Sequence, residues 1–66
     1  MQITLNGAMR DVPDSFTAGE LITVLGLAGK RLAIEVNAEI VPRSTLDEHI
    51  LNPGDAVEIV HAIGGG

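Results

Sequence analysis

The sequence predicts an α+β domain: one mixed sheet of four to five strands with a single helix packed on one face. Three observations carry that expectation. Short apolar–polar alternations recur at the start, in the middle and near the end of the chain. One well-signalled helix start lies between them, and turn residues separate the segments. With 66 residues the chain has room for one domain, and a domain of this size buries only about 60% of the surface its unfolded chain exposes. No cysteine is present to form a disulfide or a thiolate metal site, so Ile, Leu and Val within a 45% hydrophobic composition must build the core.

Gln2 to Asn6 alternates, with Ile3 and Leu5 on one face and Thr4 on the other, a half-buried strand. Asn6-Gly7 supplies the positive-φ pair of a type I′ turn, which makes Met9 to Val12 the return strand of a hairpin. Pro13 cannot donate to a ladder and ends that strand or marks it as an edge. Thr17 and Glu20 have the spacing of a capping box, with Phe16 and Leu21 at the staple positions. Ala18, Leu21, Ile22 and Leu25 then form an apolar stripe, so a helix over about residues 18 to 26 is expected, with Gly26 just past its end.

Leu32 to Asn37 alternates again, with Leu32, Ile34 and Val36 inward. A turn at Asn37-Ala38-Glu39 leads to the short strand Ile40-Val41, which stops at Pro42. Arg43 to His49 is polar and is expected to hold one helical turn under Ser44 or Thr45, with Leu46 and Ile50 as inward anchors. Asn52-Pro53-Gly54-Asp55 is a turn, Pro presetting φ and Gly taking the positive φ. The strongest strand signal, Ala56 to Ile63, follows. Val57 and Ile59 should face the helix, whereas Glu58, Val60 and Ala62 should face outward and are the candidate docking residues.

The organisation expected is a domain over residues 1–62 and a flexible glycine-rich tail over 63–66. Gly64, Gly65 and Gly66 offer no side chain to a core and lose much conformational freedom on ordering. A free carboxylate on Gly66 is ionised at neutral pH, since an α-carboxyl titrates near ~3.5. The domain thus reads as a handle for a reactive terminal carboxylate.

The net charge of -5, with Arg10, Lys30, Arg31 and Arg43 as the only strong bases, argues against a nucleic-acid partner. One aromatic residue cannot make a base-stacking platform. No stretch approaches the ~20 apolar residues of a membrane span, and no signal peptide opens the sequence, so a cytoplasmic protein is expected. The run Gly26-Leu27-Ala28-Gly29-Lys30 fails as a phosphate loop, because Val24 stands where the first Gly belongs and Arg31 where Ser or Thr does. It reads better as a helix C-terminus with Lys30 and Arg31 favourably placed against the dipole. His49 and His61, the latter with inward parity, lack ligand spacing with any partner. Asp47 and Glu48 read as a solvated acidic pair, and Ser15 and Ser44 have no identifiable base. An enzyme is therefore not expected, nor is a bound metal or cofactor.

With the hairpin and capped helix in place, the stretch Val36-Asn37-Ala38-Glu39-Ile40-Val41-Pro42-Arg43, the pair Gly54-Asp55 and the terminal Gly65-Gly66 resemble the ThiS family, small ubiquitin-like sulfur carriers of thiamin biosynthesis. The resemblance runs along the whole chain; Gly64 is a departure that adds a third glycine. It implies the β-grasp fold. It further implies that a ThiF-type enzyme uses ATP and magnesium to adenylate the Gly66 carboxylate. Sulfur from a cysteine desulfurase, delivered as a persulfide, would then give a thiocarboxylate that the thiazole synthase ThiG consumes. In that chemistry Gly64 and Gly65 thread into the partner's active site. Two other readings stay open: a molybdopterin-synthase-type carrier subunit, and a non-catalytic β-grasp interaction module with an inert tail.

Overall fold

The computed structural model describes residues 1–61; the His61 side chain and residues 62–66, with the expectations for them, lie outside the described residues. The elements are β1 (Gln2–Leu5), β2 (Ala8–Asp11), α1 (Ala18–Val24), β3 (Leu32–Val36), β4 (Glu39–Val41), a 3-10 helix (Arg43–Glu48) and β5 (Ala56–His61). The strands make one five-stranded sheet in the order β2-β1-β5-β3-β4. β1 and β5 run parallel at its centre, and every other pair is antiparallel.

Local chemistry explains most of these elements. Asn6 and Gly7 have φ of 50° and 84°, the type I′ signature, and the hairpin closes with Leu5 opposite Ala8. β2 is an outer strand of the sheet, where Pro13 does no harm. The capping box is formed: Thr17 Oγ1 accepts from the Glu20 amide and Glu20 Oε1 from the Thr17 amide, both at 3.0 Å. Phe16 and Leu21 are both buried in the core. At the other end the Gly26 amide donates to the Thr23 carbonyl and the Leu27 amide to the Ile22 carbonyl, each at 3.0 Å. With Gly26 at φ 74°, this is a Schellman cap.

α1 therefore stops at Val24 and not near residue 26. Lys30 and Arg31 stand in the loop beyond it, and no basic residue occupies its last turn. The expected dipole pairing is thus corrected, because that effect fades within one turn of the helix end.

The core is a single cluster between the sheet and the elements on one face. Ile3, Leu21, Ile34, Leu51 and Val57 are fully buried in it. Each such side chain contributes roughly 1.5–3 kcal/mol of transfer free energy. Leu51 replaces Ile50 as the anchor of its segment, since Ile50 is exposed. The reason is a long-range pairing. The Leu51 amide donates to the Phe16 carbonyl (2.8 Å) and the Ala18 amide to the His49 carbonyl (2.9 Å), so this segment runs extended against the helix entry. Neighbouring side chains alternate on an extended backbone, and an inward Leu51 sends Ile50 out.

The helical turn after Pro42 exists, but neither Ser44 nor Thr45 caps it. Pro42 takes the cap position without a side-chain bond, and Thr45 Oγ1 instead donates back to the Pro42 carbonyl at 3.0 Å. Leu46 is half-buried against the core as expected. Gly19 is the contact point between this turn and α1. A Cβ there would overlap the Asp47 carboxylate and stand 3.1 Å from the Asp47 Cα, so only glycine permits the approach. Asp47 is therefore a packing neighbour of α1 as well as a solvated acid.

Candidate functional site

The helix covers one face of the sheet, and β5 shows the consequence residue by residue. Val57 and Ile59 are buried beneath the helix, whereas Glu58 and Val60 point to the open face. The register extends that face sideways. Val60 lies opposite Ala33, Glu58 opposite Glu35, and Glu35 opposite Ile40 on the far side. Across β1, Thr4 separates Ala56 from Met9. Met9, Ile40 and Val60 are all more than half exposed. The open face is thus apolar at several points, with two carboxylates directly opposed near its middle.

Like charges directly across a strand pair destabilise a sheet. Among the described residues the one ion pair is that of the Met1 amine with Asp14, at 3.5 Å, and none of their cations pairs with Glu35 or Glu58. Folding gains nothing from this juxtaposition, whereas a partner bringing a cation would. The outward placement expected for Glu58 and Val60 is met; Ala62, Gly64, Gly65 and Gly66 lie outside the described residues. Sequence reasoning missed Glu35, Ala33, Ile40 and Met9. Their outward parity was legible, but the register that sets them beside β5 is a long-range property.

The remaining motif residues serve structure. Asn37 Oδ1 accepts from the Ala56 amide at 2.9 Å, and its Nδ2 donates to Asp55 Oδ1 at 3.0 Å. Asp55 Oδ2 accepts from the Asn52 amide at 2.8 Å, which ties the Pro53-Gly54 turn to the β3–β4 turn. Arg43 donates from Nη2 to the Lys30 carbonyl. Among the described residues no three His, Asp or Glu side chains gather into a metal site, and no helix is long and apolar enough to cross a membrane.

The model of the ThiS family matches residues 3–66. The chain belongs to the ThiS family. It is 32% identical to the sulfur carrier protein ThiS of Escherichia coli K12 over 66 residues, all of both chains. It is also 41% identical over its full length to a thiazole synthase of Paramagnetospirillum magneticum, and a similar protein occurs in Magnetococcus marinus at 38%. The chain spans about a fifth (20%) of the length of those two thiazole synthases. The crystal structure of the thiamine biosynthesis protein ThiS from Geobacter metallireducens superposes with a TM-score of 0.86 at 33% identity, covering both chains completely. The five-stranded mixed sheet with one helix is therefore the β-grasp fold of ThiS relatives, as the resemblance implied.

Proposed function

We propose that this ThiS-family chain is a sulfur carrier of thiamin biosynthesis and that the Gly66 carboxylate is its reacting group. The observation that carries this reading is the end-to-end similarity to the Escherichia coli sulfur carrier, which spans the glycines as well as the domain. That similarity also favours the thiamin role over a molybdopterin-synthase subunit or an inert interaction module.

A carboxylate oxygen is a poor leaving group, so sulfur cannot displace it directly. Attack of the Gly66 carboxylate on the α-phosphate of ATP, within a ThiF-type partner, forms an acyl adenylate and releases pyrophosphate. The terminal sulfur of a persulfide then attacks the acyl carbon and AMP departs. A thiol reductant splits the resulting acyl disulfide and frees the thiocarboxylate. Magnesium in the partner would offset the phosphate charge during the first step. Glycines at 64 and 65 suit this role because the chain must enter a narrow site and accept whatever φ the partner imposes.

The thiocarboxylate then donates its sulfur for thiazole formation. The match to one-fifth of two thiazole synthases supports a thiazole synthase such as ThiG as the consuming partner, because the same domain sequence recurs within those proteins. Ordering the terminal residues costs roughly 1–2 kcal/mol each. Docking contacts must supply affinity to offset that; Glu58 and Val60 on the outward side of β5 are assigned to it, and Ala62 by its sequence parity with them.

Intact-mass measurement tests the reading. After incubation with ATP, the adenylating enzyme of the same genome, a persulfide donor and a reductant, the protein should gain the mass of one oxygen-to-sulfur exchange, localised to Gly66. An unchanged mass, with the same enzyme shown to adenylate a ThiS protein of another species, would overturn it.

A further inference from the structure

Three of the four strong bases of this acidic chain come together at one place. Arg10 stands apart on the outer strand β2. Lys30 and Arg31 lead into β3, and the bond from Arg43 Nη2 to the Lys30 carbonyl holds the start of the 3-10 helix beside them. Lys30 and Arg43 also rim one cleft between α1 and that helix. The antiparallel register then matters: Leu32, the first residue of β3, pairs with His61 at the end of β5. The chain thus leaves the described sheet next to Arg31, although the two are far apart in sequence.

All three cations are exposed. Among the described residues, neither Lys30 nor Arg31 uses its side chain in a hydrogen bond or ion pair, and Arg43 makes no ion pair. Gathering like charges costs the fold a little and gives it nothing back. Their position, beside the exit of the reactive segment, points to a partner.

We propose that Lys30, Arg31 and Arg43 form a basic collar that docks on an acidic rim of the adenylating partner, around the mouth of the site that admits the terminal residues. This rests on the sulfur-carrier reading above. Reach decides between the two anions such a partner offers. Residues 62–66 span up to roughly 17 Å when extended. With those residues extended in a narrow site, a Gly66 carboxylate at the nucleotide stands farther from the collar than a lysine or arginine side chain can stretch. The collar meets carboxylates at the entrance and not the phosphates within.

Charge sign adds orientation. The collar is positive and the Glu35–Glu58 pair on the open face is negative, so the partner surface carries acid at the entrance and base beside the sheet. A rotated approach sets like charges against each other and is rejected.

The test is ATP–pyrophosphate exchange by the adenylating enzyme of the same genome, using the full chain with the substitutions Lys30→Glu and Arg31→Glu together. Arg43 is left in place because its guanidinium braces the loop. The expected result is a KM for the carrier at least tenfold higher at low salt, with the difference shrinking as ionic strength rises. The maximal rate, the KM for ATP and the thermal melt stay as in the wild type, and the charge-preserving pair Lys30→Arg and Arg31→Lys restores the carrier KM. An unchanged carrier KM overturns the collar while leaving the sulfur-carrier reading intact. So does a raised ATP KM or a reduced maximal rate at constant carrier KM, which would place the cations at the nucleotide. Failure of the wild-type chain to support any exchange overturns the underlying reading, and the collar with it.

Discussion

The two ends of β5 are built in opposite ways. At its start the strand is held from both sides. The Ala56 amide donates to Asn37 Oδ1 and the Asn37 amide donates to the Ala56 carbonyl, while across β1 the Asn6 amide donates to the Val57 carbonyl at 2.9 Å. Buried Asp55 sits beneath, accepting from the Asn37 side chain and the Asn52 amide. Towards its end the pairing thins. The β1 register stops at Leu5 opposite Val57, and the Asn6-Gly7 turn carries that strand away. Beyond it, Asn6 Oδ1 accepts from the Ile59 amide at 2.8 Å, and β3 alone accompanies Glu58 to His61. Polar side chains lock the strand where the fold must not move. At the end from which residues 62–66 depart, the structure offers charge in place of locking.

The largest test of that contrast is Asp55→Ala. It strips the acceptors from the Asn52 amide and the Asn37 side chain at once, and unsatisfied donors in partly buried sites cost about 1–3 kcal/mol each. Rehydration of exposed Asn37 softens the loss, so a total of about 2–3 kcal/mol is expected. In so small a domain that lowers the melting temperature by roughly 10–20 °C. Exchange activity measured well below the transition should survive, because the change lies at the locked end. Loss of activity in a variant still folded at the assay temperature would erase the separation of roles between the two ends.

What could be read from the sequence follows the range of the chemistry involved. The Asn6-Gly7 turn, the Thr17–Glu20 capping box, the Gly26 cap and the Pro53-Gly54 turn each depend on residues within a few positions of one another, and all formed as expected. The side on which Ile50 or Leu51 points depends on pairing with Phe16 and Ala18, which no local pattern encodes. The need for glycine at position 19 likewise comes from Asp47, which lies against it in the fold and far from it in sequence. For the proposed site, the terminal glycines were legible as residue types and the outward side of β5 as parity. The basic collar was not, since it needs both the His61–Leu32 register and the Arg43–Lys30 bond.

A second test strengthens the locked end. Ala38 holds φ 69° in the two-residue turn between β3 and β4, a left-handed conformation that costs a non-glycine residue roughly 1–2 kcal/mol. Ala38→Gly removes that strain but loses more chain entropy on folding, so a net stabilisation of about 0.5–1 kcal/mol is expected. Chemical denaturation should show a higher midpoint at an unchanged slope. A lower midpoint would mean that the turn is not strained at Ala38.

The smallest effect is expected at the opposed carboxylates, where β5 has already lost β1 as a neighbour. Glu58→Gln keeps the shape and hydrogen-bonding reach of the side chain and removes one of two like charges facing each other across β3 and β5. Cross-strand pairs of this kind are worth about 0.2–1 kcal/mol, and the exposure of Glu58 puts this one at the low end. The free protein should melt roughly 1–3 °C higher at low salt, and the gain should fade as salt screens the pair in the wild type. The same substitution should raise the carrier KM in the exchange assay, because the partner's cation then meets one charge where it met two. Stability and docking must therefore move in opposite directions. A variant that melts higher and docks as well as the wild type would make the Glu35–Glu58 pair a tolerated flaw of the sheet and remove it from the interface.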